Sequence, residues 1–130
     1  MTGPRWPNGA RAACSFTFDL DAETLWMARG VFEPVALSQG TFGVLDDAPF
    51  FMFTGQRSIQ PPGPVLDGWL AEFDGICEAG GIANFTFHPQ IIGRPSRLVC
   101  LQRLIGHART TPGVWIARLD EVAAHCGSRG

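Results

Sequence analysis

The sequence has no lysine and no tyrosine. All of its basic residues are arginine, and the net charge is -2. No basic stripe runs through it, which argues against nucleic acid or an anionic membrane as partner. Cys14, Cys77, Cys100 and Cys126 are widely spaced and form no C-x-x-C, so a zinc knuckle is not expected. No apolar run approaches the length of a membrane span, and Met1 to Arg11 lacks the apolar segment of a secretory signal. The even cysteine count would permit two disulfides, but buried, reduced thiols in a cytoplasmic protein are the reading that fits. There is no tandem repeat and no low-complexity tail.

The 130 residues present are enough for one domain with its own core, and 45 % of them are hydrophobic. Ala13 to Leu20 reads A-C-S-F-T-F-D-L. Its period of two places Ser15, Thr17 and Asp19 on one strand face, with Cys14, Phe16, Phe18 and Leu20 on the other. Ala83 to His88 reads A-N-F-T-F-H and repeats the design, with Asn84, Thr86 and His88 opposite Ala83, Phe85 and Phe87. Each strand predicts an aromatic face for helices, a small polar face, and a potential metal ligand at its C-terminal end. A third strand is predicted at Val114 to Ala117.

Helical periodicity alternates with these strands. Leu66, Trp69, Leu70, Phe73, Ile76 and Cys77 form one stripe, ended by Gly80-Gly81 in a left-handed cap. Pro95 suits a first helical position, and Leu98, Leu101, Leu104 and Ile105 follow it as a second stripe. Asp120 would cap a last helix through Ala124, closed by Gly127. A shorter helix is predicted from Ala22, with Asp21 at its N-cap. Gly30 to Pro64 is irregular, and within it Phe50 to Phe53 reads as a short buried strand or an interface strip. Strands alternating with helices predict parallel pairing, with sites at the C-terminal strand ends.

Two groups of residues resemble a known family. W-P-N-G-A-R-A-A at Trp6 to Ala13, followed by S-F-T-F-D-L-D-A-E-T, resembles the opening of polysaccharide deacetylase superfamily proteins, in particular the branch of allantoinase-like C–N hydrolases. F-H-P-Q-I-I-G-R-P-S-R at Phe87 to Arg97 and G-V-W-I-A-R at Gly113 to Arg118 resemble the end of that domain. The resemblance implies an irregular (β/α) barrel, which usually needs about 250 residues. It also implies a base role for Asp19, a metal-ligand role for Asp21 and an acid role for His88. The family's His-x-x-x-His segment is missing. S-Q-G-T-F-G at Ser38 to Gly43 is similar to an early loop of the family and L-D-D-A-P-F-F at Leu45 to Phe51 to a late region. The expectation is therefore one domain over residues 1–130, with 1–43 similar to the start and 45–126 to the end of the barrel. In fold class it is a truncated α/β unit with a small, mainly parallel sheet, completed by homodimerisation. Phe50 to Phe53 and Trp69 are the expected contacts between copies.

Each candidate has a structural alternative. Asp19 and Asp21 would share a rim as oxygen ligands, or serve as a loop residue and an N-cap. His88 reads as acid or as ligand. His107 and His125 suit helix C-termini, where positive charge is favoured, and either, His125 first, could also complete a rearranged metal site. Glu23, Asp46 and Asp47 are further candidates, although Asp46-Asp47 before Ala-Pro reads first as turn chemistry. Arg94 and Arg97 would orient Asp19 or bind an anionic substrate group, or simply flank a helix start. Trp115 reads as core or as a substrate contact. Together these features predict a hydrolase using a divalent ion, zinc first, on small molecules such as esters, lactones, amides or phosphotriesters. The rival reading is a non-catalytic remnant that acts as an assembly or binding module.

Overall fold

The structure is a computed structural model, and it describes residues 6–19, 45–51 and 59–128. After a 3-10 turn at Pro7–Gly9, strand β1 spans Ala12–Phe18. Helix α1 spans Ala48–Phe51, α2 Pro62–Ala79, β2 Ile82–Phe87, α3 Pro89–Ile92, α4 Pro95–Thr110, β3 Val114–Ile116 and α5 Leu119–Gly127. Among the described residues the sheet is three-stranded, in the order β2-β1-β3. Both pairings are parallel, with Phe18 opposite Phe87 and Ala13 opposite Trp115. Asp46 adds an isolated parallel bridge to Thr86, so the chain before α1 runs beside the free edge of β2. None of the helices in the described residues is long and apolar enough to cross a membrane.

The alternation of the two F-T-F strands decides what packs where. Phe16, Phe85 and Phe87 stack on one face, with Phe85 and Phe87 centroids 6.2 Å apart and their planes nearly parallel. Trp69 of α2 meets Phe50, Phe51, Phe85 and Phe87 edge-on, and Phe73 packs on Phe85. Such tilted ring contacts add to the apolar area they bury. On the opposite face the Thr17 and Thr86 hydroxyls lie 3.2 Å apart, and Thr17 also donates to the Phe85 carbonyl.

Gly80 ends α2 with φ +76°, where its amide returns to Cys77 and Ile76, and a Cβ there would press on the Arg11 carbonyl at 3.3 Å. Glycine is the residue that accepts this left-handed turn without strain. Pro95 opens α4 as expected, with Arg94 at the N-cap.

Several expectations are corrected. Phe50 and Phe51 form a helical turn, not a strand. Phe51 is 2 % and Trp69 1 % exposed, so both belong to the core and neither offers an interface. Asp120 does not cap the last helix. Arg118 holds the N-cap position, its amide donates to Glu121, and Asp120 sits in the first turn paired with Arg118. Cys14, Cys77 and Cys100 are buried thiols, whereas Cys126 is exposed. Met52, Phe53 and the helix expected from Ala22 lie outside the described residues.

Candidate active site

Parallel strands deliver their C-terminal ends to one rim, and three separate segments meet there. β1 ends at Phe18, and the Asp19 amide continues the pairing by donating to the Phe87 carbonyl at 2.8 Å. That places Asp19 next to His88, the residue that follows β2. The third segment arrives from the side: Thr86 donates to the Leu45 carbonyl at 2.9 Å, and the Asp47 amide donates to the Thr86 carbonyl at 3.2 Å. Asp46 and Asp47 are thereby held against the end of β2.

Asp47 is the centre of the arrangement. It is 0 % exposed, and His88 is 6 % exposed. The His88 amide donates to Asp47 Oδ2 at 3.0 Å, and His88 Nδ1 lies 2.6 Å from Asp47 Oδ1. Burial pushes the Asp47 carboxyl above its ordinary value, and the hydrogen bonds and charge of His88 pull against that shift. Asp46 is closer to solvent. Its Oδ1 accepts from the Ala48 amide at 2.9 Å, closing the turn into α1, and stands 3.7 Å from His88 Nδ1.

The expected turn role of Asp46 is therefore present, and it also faces the histidine. Asp47, which the D-D-A-P pattern marks first as a turn residue, is instead the buried partner of His88. The signal for this was the apolar A-P-F-F that follows: a helical turn whose Phe51 enters the core draws Asp47 in with it.

Asp46, Asp47 and His88 could hold a metal ion, since one ligand atom from each lies within 4.8 Å of the others. Two carboxylates and an imidazole are donors of the kind that zinc and similar divalent ions take. Two ligands on one zinc at bond lengths of about 2.0–2.1 Å stand about 3.3 Å apart. The 2.6 Å contact between Asp47 and His88 is thus a hydrogen-bond distance, and the two would have to separate slightly to hold one ion together.

The other residues singled out from the sequence are distributed as follows. Asp19 is exposed at the rim, and Arg94 is exposed at the start of α4. Trp115 and His125 meet edge to face at 5.8 Å, and both make tilted ring contacts with Trp6, beside the start of β1. Trp115 pairs with Ala13, and six residues of parallel strand separate Ala13 from Asp19, about 20 Å. Within one chain, then, neither Trp115 nor His125 reaches the rim. His107 bonds Asp74 at 2.6 Å on the outer helices. Asp21 and Glu23 lie outside the described residues.

These features define an α/β unit with a small parallel sheet and a histidine–carboxylate cluster at its C-terminal rim. The crystal structure of a Mycobacterium smegmatis protein provisionally assigned as a polysaccharide deacetylase is similar to it, with a TM-score of 0.63 at 29% sequence identity. The match covers 66% of this chain and 32% of that one, so the chain spans about a third of its neighbour's length. The likeness supports reading the unit as part of a deacetylase-like fold. No family model and no curated protein matches the chain.

Proposed function

We propose that the chain is a metal-dependent hydrolase derived from a polysaccharide deacetylase-like barrel of the allantoinase-like branch. The observation that carries the reading is the buried Asp47–His88 pair at the strand rim, with Asp46 beside it and Asp19 on the neighbouring strand end. Burying a carboxyl completely costs free energy unless it is paired, and a fold has little reason to bury one at an open rim unless it serves the site. Asp46, Asp47 and His88 would hold the ion, and zinc suits their donor atoms. A bound divalent ion would lower the pKa of its water to about 7 and polarise the substrate oxygen. Asp19, exposed on the neighbouring strand end, would accept the water proton. Activated esters, lactones, amides and phosphotriesters are the small molecules to screen, and Arg94 is the exposed cation nearest in sequence to the rim. The similarity to a polysaccharide deacetylase supports hydrolysis as the reaction class.

Elemental analysis of protein purified without added metal, followed by turnover on that panel before and after chelation, tests this. About one ion per site and loss of turnover on chelation are expected. Metal-free protein that keeps full activity overturns the proposal and leaves the rival reading, in which the pair only ties down the rim of a non-catalytic module.

We also infer that a second copy completes the fold. The three parallel strands among the described residues do not close a barrel, and open edges invite pairing. Ile116 at the end of β3 and Leu119 just after it are 41% and 42% exposed. Light scattering at micromolar concentration should give a dimer that Ile116→Asp weakens, and a monodisperse, fully active monomer refutes the idea.

A further inference from the structure

We propose that Arg97 is a positioning residue that locks Asp47 against His88 by gripping both of the helical turns that carry them. The two turns are built alike. Asp47 opens the turn of α1, and its carbonyl accepts from the Phe51 amide at 3.0 Å. His88 opens the turn of α3, and its carbonyl accepts from the Ile91 amide at 2.8 Å. Arg97 holds the far end of each. Its Nη1 donates to the Ile91 carbonyl at 2.8 Å, and its guanidinium carbon lies 4.9 Å from the centre of the Phe51 ring. Among the described residues each turn is only four residues long, and so short a helix has little stability of its own. Backbone bonds from Thr86 to Leu45 and Asp47 set the starts of the two turns, and their far ends are held by what both touch. Ile91 and Phe51 are buried, so the grip acts on fixed points.

The residue type matters. A guanidinium can donate in its plane and present its face to a ring at the same time, which a lysine ammonium cannot do. Gly93 makes the approach possible: it is the turn between α3 and α4, and a Cβ there would collide with the Pro89 carbonyl. Arg97 is half-buried and carries charge opposite to Asp47; burial chiefly, and then Arg94, pull its pKa below the ordinary value, with Asp47 opposing. The sequence left Arg97 between orienting Asp19 or binding an anionic group and a solvated helix start; it lies in the first turn of α4, half-buried rather than solvated.

The role for metal binding rests on the proposed function, but the grip itself does not, and the test keeps the two apart. The metal-stripped, full-length chain is labelled with ¹⁵N, and the histidine rings are followed by long-range ¹H–¹⁵N correlation, with His88 identified by its loss in His88→Gln. In the parent chain the buried contact to Asp47 should make a proton on His88 Nδ1 slow to exchange. In Arg97→Met we expect about tenfold faster exchange and a shift of the Nδ1 resonance, because the turns are no longer held together. Arg97→Lys, which can keep one contact but not both, should fall between. Leu104→Ala is the control: it removes a buried side chain of the same helix, 0 % exposed, and should lower stability without moving the His88 signal. Zinc affinity should fall about 10–100-fold in Arg97→Met if the rim binds metal. A parent-like His88 signal in Arg97→Met or in Arg97→Lys overturns the proposal, and so does a Leu104→Ala change as large as that of Arg97→Met. A chain that binds no metal and hydrolyses nothing refutes the proposed function and leaves the NMR result standing.

Discussion

Removing either side chain of the Asp47–His88 pair should cost far more than half of what removing both costs. Asp47 accepts two hydrogen bonds from His88, at 3.0 Å from the amide and 2.6 Å from the ring, and is fully buried. Charge-assisted bonds of this kind contribute about 1.5–3 kcal/mol each. Asp47→Ala loses both but also removes a carboxyl that burial disfavours, so about 2–4 kcal/mol of destabilisation is expected. His88→Ala leaves the Asp47 carboxylate buried without its partner, at about 3–5 kcal/mol. The double variant removes both problems together, so the two effects should couple by about 2–3 kcal/mol. Asp47→Asn separates shape from charge. Its amide can still accept from the His88 amide but must donate to Nδ1, which forces the other ring tautomer. Its stability should stay within about 1 kcal/mol of the parent while metal binding falls. Urea denaturation of the four proteins, metal-free, measures the cycle. Additivity within about 0.5 kcal/mol would refute the claim that these groups act as a pair. The pH dependence has a definite sign. The folded-state pKa of Asp47 lies above 3.8, so the folded state holds its proton more tightly than the unfolded state does. That contribution is complete below pH 3.8 and is lost as pH rises through the raised value. The stability of the parent relative to Asp47→Asn should therefore fall across that window, and a difference that grows with pH contradicts the assignment.

Two other perturbations test the core. Trp69→Ala should lose about 3–5 kcal/mol by urea denaturation, since Trp69 is 1 % exposed and its ring is met by four phenylalanines; Phe51→Asp should fail to fold rather than yield a folded monomer, as would be expected of an interface residue. Native thiol titration should find Cys126 reactive and Cys14, Cys77 and Cys100 protected, with all four reacting in urea. Burial pushes the Cys14 thiol up to about 12, so rapid native labelling at Cys14 would show that the β1–α2 packing is wrong.

The strands were legible because their period is short and their two faces differ sharply in chemistry. Phe16, Phe85 and Phe87 against Thr17 and Thr86 leave one way to place the sheet between helices and rim. The α2 stripe was equally plain, and Gly80 ended α2 as its neighbours predicted; the α4 stripe held at Leu101 and Leu104, but Leu98 is 40 % exposed and Cys100 and Ala108 complete the buried face. Asp47 was harder to read. Nothing local distinguishes an aspartate that stays at a turn from one that the following helical turn carries inward; the difference is whether Phe51 finds Trp69 in the folded core. The sequence also could not separate Trp115 and His125 from the rim, because a parallel strand start and a parallel strand end look alike in composition and lie about 20 Å apart only once the register is set.

The rim forms from so few strands because of which strands are neighbours. A site made by strand ends needs adjacent strands whose last residues are level, and it does not need the rest of a barrel. β1 and β2 are far apart in sequence, yet Phe18 stands opposite Phe87. That single register places Asp19 beside His88 whatever lies between them in the chain. Asp46 and Asp47 depend on a weaker attachment, an isolated bridge to Thr86 and a single helical turn. Those residues are where the arrangement needs outside support. The support comes from α4, whose Arg97 reaches both turns. The cluster therefore depends on two things of different strength: a parallel pairing that fixes Asp19 and His88, and an arginine that brings the carboxylates to them.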